Sequence, residues 1–429
     1  MGAAADAEDH LTERGGFVNL TILPQKLQGT LKIPSSKSVG HRMVIGAALA
    51  GGGKVENLTL SADIQATLEG IKALGADCCL EDGTAIVYGR RQVIEETVVL
   101  DCNESGSTLR FLMPVAVALC PEKKLIFKGK GRLLERPLEP YFQFFDQMGI
   151  RYSREKDSLI VQGTLTSGIC KLSGKISSQF ITGLLYALPL LEGESKIVIT
   201  DTLESRGYVD MTLEVLRAFG VSVVNKDYGE FVIPGGQGYR ARNAVVEGDY
   251  SQAAFFYAAN FIGSSVLLEG LNHDSSQGDR VVENILKDFA EKGDYELDVS
   301  DIPDLVPALA AAAAYRVGKE TRFVNGSRLR MKESDRIAST CSMLRSLGAY
   351  AEEGEDSITI RGQESLSGTG KRSVDCCNDH RIAMAAAAAA VGCIGKVQLL
   401  GAQCISKSYP AFWEDYRRLG GKIIEEDGR

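Results

Sequence analysis

One glycine spacing recurs along this 429-residue chain. Leu74-Gly75-Ala76, Met148-Gly149-Ile150, Phe219-Gly220-Val221, Leu347-Gly348-Ala349 and Leu419-Gly420-Gly421 share the form apolar, Gly, small or apolar. Each follows an apolar stripe of helical period, and glycine there suits the left-handed residue that stops a helix. All but the last lead through a turn into a strand, and three such strands, at 85–89, 159–163 and 358–362, themselves end in glycine. A weaker copy sits at Lys292-Gly293. Counting it, the glycines lie 74, 71, 73, 55 and 72 residues apart. Five intervals imply six copies of an α/β unit of about seventy residues. That period exceeds those of solenoids, so stacked small units are expected rather than a horseshoe.

A chain of this length exceeds a single core and suits two domains of roughly 200 residues each. The boundary is expected near residues 240–247, between the third and fourth copies. Residues 304–315 and 379–391 hold the alanine runs 310–314 and 385–390. Helices with so little polar surface are buried all round, which predicts central helices with sheets outside.

Composition narrows the function. With 44% hydrophobic and 24% charged residues the chain has a soluble globular profile. A net charge of −8, from 56 acidic and 48 basic residues, supplies no global field for nucleic acid or anionic membrane. An anion site must therefore be a local concentration of cations. The ten cysteines form two adjacent pairs, Cys78-Cys79 and Cys376-Cys377, and are otherwise scattered, with no C-x-x-C. With four histidines, this predicts a reducing, cytoplasmic compartment and no Cys/His metal site. Residues 1–16 read as an extension that is neither a secretory signal nor a transit peptide. The longest strongly apolar uncharged stretch, 382–395, is too short to span a bilayer.

The chemistry gathers where helices begin. Arg328-Leu329-Arg330-Met331-Lys332-Glu333-Ser334-Asp335-Arg336 packs four cations and two carboxylates into nine residues. It falls between a strand at 321–324 and a helix whose stripe is Ile337, Cys341 and Leu344, with Ser334 or Asp335 as cap. Lys332, Glu333 and Arg336 thus cluster at a helix N-terminus, which already favours anions. Five further segments put small hydroxyl or polar residues at a helix start, most of them with a cation beside. They are Ser35-Ser36-Lys37-Ser38 with Arg42, Glu104-Ser105-Gly106-Ser107-Thr108 with Arg110, Ser177-Ser178-Gln179, Asp249-Tyr250-Ser251-Gln252 and Asn378-Asp379-His380-Arg381. One such hydroxyl is ordinarily just an N-cap. Ordinary caps do not need Lys37, Arg42, Arg330, Lys332, Arg336 and Arg381 beside buried-type helices, so the group predicts ligands bearing several phosphates or carboxylates.

Taken in chain order, Pro34-Ser35-Ser36-Lys37-Ser38 with Arg42, the run from Glu104 to Arg110, Ser177-Ser178-Gln179-Phe180, the run from Arg330 to Arg336 and Asn378-Asp379-His380-Arg381 resemble the 5-enolpyruvylshikimate-3-phosphate synthase family, and the likeness runs from about residue 20 to residue 420. The resemblance implies an inside-out α/β barrel of two domains, each with three βαβαββ-type units. The segment 35–245 would form the N-terminal domain, and 17–34 plus 246–429 the C-terminal one. It also implies transfer of the enolpyruvyl group of phosphoenolpyruvate to the 5-hydroxyl of shikimate 3-phosphate. Lys37, Ser38, Arg42, Ser177, Ser178, Ser205, Tyr208 and Lys332 match residues that hold shikimate 3-phosphate. Gln179 matches a residue between the substrates. Lys37, Gly106, Arg136, Arg336, Arg381 and Lys407 match the phosphoenolpyruvate side, where glyphosate also binds in the family. Asp304 matches the carboxylate beside the attacking hydroxyl, and Glu333 the acid that protonates the methylene carbon.

Those residue types suit the reaction. Attack on C2 of an enol phosphate removes a hydroxyl proton while C3 gains one, so a base and an acid act together. Asp304 is expected to stay ionised among cations, and Glu333 to hold a proton through a pKa raised by desolvation. No metal or organic cofactor is expected, and a monomer acting on two small molecules is the expected form. Two positions depart from the family pattern, Glu104 and Arg328, both of which replace a usual Asn. The related UDP-N-acetylglucosamine enolpyruvyl transferases carry a reactive cysteine after a loop glycine, where this chain has Gly131-Arg132, and they lack Asn-Asp-His-Arg. A non-catalytic phospho-ligand-binding homologue would be expected to have lost part of the Asp304, Glu333, Arg336, Arg381 and Lys407 set.

Overall fold

The computed structural model describes residues 18–370 and 372–426; the extension read at residues 1–16 lies outside them. Among the described residues the strands form six sheets. Five are four-stranded with one order: two parallel strands, then two antiparallel ones. Thr97–Asp101, Lys124–Lys128, Ser158–Gln162 and Arg151–Arg154 form one such sheet. The alternation of buried and exposed residues along Thr97–Asp101 and Ser195–Ile199 leaves one face of each sheet on a core. The sixth sheet has only Gln28–Lys32 and Ser265–Glu269, paired in parallel.

This short sheet explains the irregular 55-residue interval. Gly75, Gly149, Gly220, Gly348 and Gly420 have φ of 92°, 69°, 82°, 91° and 92°, the left-handed conformation of a helix stop. The first four lead into an antiparallel hairpin. Lys292 instead leaves its helix in an extended conformation. The chain then enters Tyr295–Asp298, the first strand of the next sheet, with no hairpin between. Gly293 thus marks a unit without its last two strands.

Two hydrophobic cores result. One is built from residues between Val39 and Val246, the other from Leu20 to Ile33 together with Tyr250 to Leu419. In the first, Gly106–Leu119 packs on Ser178–Ala187; in the second, Val306–Ala313 packs on Tyr250–Phe261 and His380–Ala390. Every residue of Val306–Ala313 and of His380–Ala390 is buried, so the alanine-rich helices are central, as expected. Pro189 ends the helix begun at Ser178, and a 3-10 turn Leu188–Leu190 follows.

The chain changes core twice, at two adjacent segments. Ser36 N donates to Glu247 O at 2.7 Å and Asp249 N to Pro34 O at 2.9 Å, with Ser35 and Gly248 bridged antiparallel. A Cβ on Gly248 would lie 2.5 Å from Gly270 O, so glycine alone fits. Ala244–Val245 pairs with Gly53–Glu56 and Val246 is buried in the first core. Beyond them the chain passes at once into Tyr250–Phe261, whose N-terminus faces the cleft between the cores.

Candidate active site

Five buried helices start at this cleft. Their caps are Ser36, Ser105, Ser177, Asp249 and Asp379, each accepting a backbone N–H one turn in. The cleft encloses about 960 Å³, part of it open to solvent. Of the expected site residues, all line it except Arg336 and Lys407. Arg336 lies just behind the wall, and Lys407 at one rim.

Arg336 organises the centre. Its side chain is 1% exposed and reaches three carboxylates: Asp304 at 2.6 Å, Glu333 at 2.7 Å and Asp379 at 2.8 Å. Asp379 is wholly buried and also caps the helix His380–Ala390. Asp335, not Ser334, caps Arg336–Ser346, through Ala338 N; Ser334 instead bonds Asp379 and Ser339. Ile337, Cys341 and Leu344 are buried, as their spacing predicts.

Asp304 is the most heavily engaged acid. Besides Arg336 it meets Lys332 at 3.3 Å and Arg381 at 3.3 Å, and accepts the Tyr208 hydroxyl at 2.7 Å. Burial alone would raise its pKa. Arg381, Lys332 and Arg336 outweigh that and hold it well below the usual carboxylate range.

Glu333 departs from expectation. Burial pushes its pKa up, but Arg336, Arg136, His380 and Lys37 together pull it well below the ordinary value. Desolvation, legible in the sequence, is outweighed by cations that converge on this carboxylate only in the fold.

The first core supplies a cationic wall. Lys37 pairs with Asp63 at 2.9 Å. Arg42 is buried and held by Thr212, the Ser38 carbonyl and the Tyr208 carbonyl, and burial lowers its pKa to about 10. Arg110 grips Gln179 Oε1 at 2.7 Å and the Pro137 carbonyl at 3.1 Å, while Gln179 donates to Ser107. Gln179 is thereby fixed at the junction of two helix starts. The buried Nε atoms of Arg110, Arg136, Arg328 and Arg381 have no hydrogen-bond partner among the described residues. Buried guanidinium groups left short of acceptors around one cleft make a site for a polyanion.

Asp63 escaped the sequence reading. Its signal was the same as the others: Ser61 caps the helix Ala62–Ala73, with Asp63 in the first turn. The two departures from the family pattern also make contacts between the cores. Arg328 donates to Ser205 Oγ at 2.7 Å and meets Glu204 at 3.6 Å. Glu104 takes the Lys407 ammonium at 2.5 Å.

No group of three or more His, Cys, Asp and Glu side chains among the described residues is placed to hold a metal ion. No helix among them is long and apolar enough to cross a membrane. All ten cysteines are free thiols.

The sequence model of EPSP synthase (3-phosphoshikimate 1-carboxyvinyltransferase) matches residues 23–416. The chain belongs to the EPSP synthase family. A 3-phosphoshikimate 1-carboxyvinyltransferase of Clostridium perfringens is 43% identical over 425 residues, covering 94% of this chain and 99% of that one. One from Clostridium beijerinckii is 44% identical, covering 95% and 98%. The solved structure of an EPSP synthase from Acinetobacter baumannii superposes with a TM-score of 0.78 at 25% identity, covering 96% of this chain and all of that one. The EPSP synthase fold thus accounts for the six-unit α/β architecture, with its N-terminal strand Asn19–Leu23 inserted in the last sheet.

Proposed function

We propose that this chain transfers the carboxyvinyl group of phosphoenolpyruvate to the 5-hydroxyl of shikimate 3-phosphate, releasing phosphate. The observation that carries this reading is the pair Asp304 and Glu333, both bound to the one buried guanidinium of Arg336 inside a cleft rich in cations. Membership of the EPSP synthase family supports the substrates.

In this reading Lys37, Ser38, Arg42, Ser177, Ser178, Ser205, Tyr208 and Lys332 hold shikimate 3-phosphate. Gly106, Arg136, Arg381 and Lys407 face phosphoenolpyruvate, while Arg336, expected there too, stands behind the wall and holds Asp304, Glu333 and Asp379. Gln179 and Lys37 touch both. Asp304 takes the proton of the 5-hydroxyl as its oxygen attacks C2, and Glu333 delivers a proton to C3. Elimination then returns a C3 proton to Glu333 and expels phosphate, which carries away the hydroxyl proton held by Asp304. The surrounding cations hold both carboxyls well below the usual range, which favours neither a proton on Glu333 nor a strong base at Asp304. Two polyanions bound against Lys37, Arg136, Lys332 and Arg381 offset those cations and raise both carboxyls toward working values. The substrates thus complete the acid and the base.

The two cores support a division into 35–245 and 17–34 plus 246–429, joined at the paired crossings. Ten free thiols agree with a reducing, cytoplasmic setting. Phosphate release from the two substrates, measured in a coupled assay, tests the reaction. Glu333→Gln and Asp304→Asn should each lose at least ~100-fold in kcat, the scale of a positioned acid or base, with substrate affinity changed far less. Near-wild-type turnover in either variant would remove its role.

A further inference from the structure

Glu104 sits on the loop between the strand Thr97–Asp101 and the helix Gly106–Leu119, in the first core. Its carboxylate crosses the mouth of the cleft to two residues of the other core. Lys407 Nζ meets Oε2 at 2.5 Å, and Asn378 Nδ2 donates to the same oxygen at 3.1 Å. Lys407 also donates to the Asn378 carbonyl at 2.8 Å. The pair is partly sheltered, with the Lys407 side chain 11% exposed and that of Glu104 30%. Gly131, at φ 55°, makes room for it, since a Cβ there would lie 2.9 Å from Glu104 Oε2.

The assignment of Lys407 to the phosphoenolpyruvate side, on which this inference rests, gives that contact a consequence. The cation meant for the incoming anion is already matched by a carboxylate two residues from Gly106. Phosphoenolpyruvate must share Lys407 with Glu104 and meets a like charge in doing so. We infer that Glu104 is a specificity-determining residue that competes with donor-side anions for Lys407. It weakens their binding, and weakens it more as their charge rises. An amide at this position would hold Asn378 without repelling the ligand.

Glu104→Gln keeps the length and a hydrogen bond to Asn378 while removing the charge. The KM for phosphoenolpyruvate should fall about fivefold, the scale of one part-exposed ion pair, with KM for shikimate 3-phosphate unchanged. The inhibition constant of inorganic phosphate against phosphoenolpyruvate should fall with it. Lys407→Met alone should raise KM for phosphoenolpyruvate, and adding Glu104→Gln to it should recover much less than in the wild-type background. Lys407→Met without effect on KM would take Lys407 off the donor side and overturn the underlying assignment. An unchanged or raised KM in Glu104→Gln, in an enzyme where Lys407→Met does raise KM, would overturn this inference alone.

Discussion

Lys332 links the cleft to pH. Burial lowers its pKa to about 8, with Asp304 opposing and Arg336 and Arg328 adding to the fall. A bound phosphate dianion favours the charged ammonium, so above pH 8 binding must take up a proton, whereas below it Lys332 is already charged. Affinity is therefore full on the acid side and lost as pH rises. The prediction is a KM for shikimate 3-phosphate that climbs above pH 8 by up to about tenfold per pH unit. Lys332→Arg should move that climb upward, and a flat profile in the wild type would refute the role of Lys332. Gly106 offers a second residue-scale prediction. A Cβ there would lie 2.6 Å from Arg136 Nη1 and 3.3 Å from Arg110 Nη1, so an added methyl displaces the Arg136 guanidinium before it reaches any ligand. Both donor-side ligands should bind less well, and glyphosate, the longer anion, has less slack. We predict that Gly106→Ala raises the glyphosate inhibition constant by a larger factor than the KM for phosphoenolpyruvate. Equal shifts in the two constants would mean that Gly106 does not discriminate.

Among the elements, the helix His380–Ala390 carries the most constraint. All its residues are buried, and alanine at 385–390 lets the helices Val306–Ala313 and Tyr250–Phe261 approach. Its N-terminus holds the site: Asp379 caps it and pairs with Arg336, and Arg381 reaches Asp304. A small-residue interior thus sets the depth from which the cations of the cleft project. Ala386→Leu adds three carbons where none fit, and overpacking of this kind costs about 1–3 kcal/mol. The expected outcome is a lower Tm in thermal unfolding; an unchanged Tm would mean that the helix has free space beside it.

For the whole molecule, the two crossings at 34–37 and 247–249 are the only described covalent links between the cores, and they lie side by side. Among the contacts across the cleft are polar ones: Tyr208 to Asp304, Arg328 to Ser205, Lys407 to Glu104. Such a boundary suits hinge closure, with the adjacent crossings absorbing the rotation. Cations from both cores line the one cleft, and two polyanions bound between them would offset their mutual repulsion. We predict that the radius of gyration in small-angle scattering falls when both substrates, or shikimate 3-phosphate with glyphosate, are added. No change at saturation would count against closure.

Local rules made the helix stops, the central helices and the cationic helix starts legible in the chain. A left-handed glycine, an alanine run and a capped N-terminus each depend on a few neighbouring residues. The missing hairpin after Gly293 left a trace too, as one short interval. Charge was different. Glu104 and Lys407 are 303 positions apart, and Arg336 draws its three carboxylates from three segments. Asp63 carried the same cap signal as its neighbours, yet only the fold set it against Lys37. The protonation of Glu333 turned on how many cations converge on it, a sum over distances in three dimensions. Residue types and their order named the chemistry; which cation answers which carboxylate was decided by the tertiary structure, because Coulomb terms follow separation in space and not along the chain.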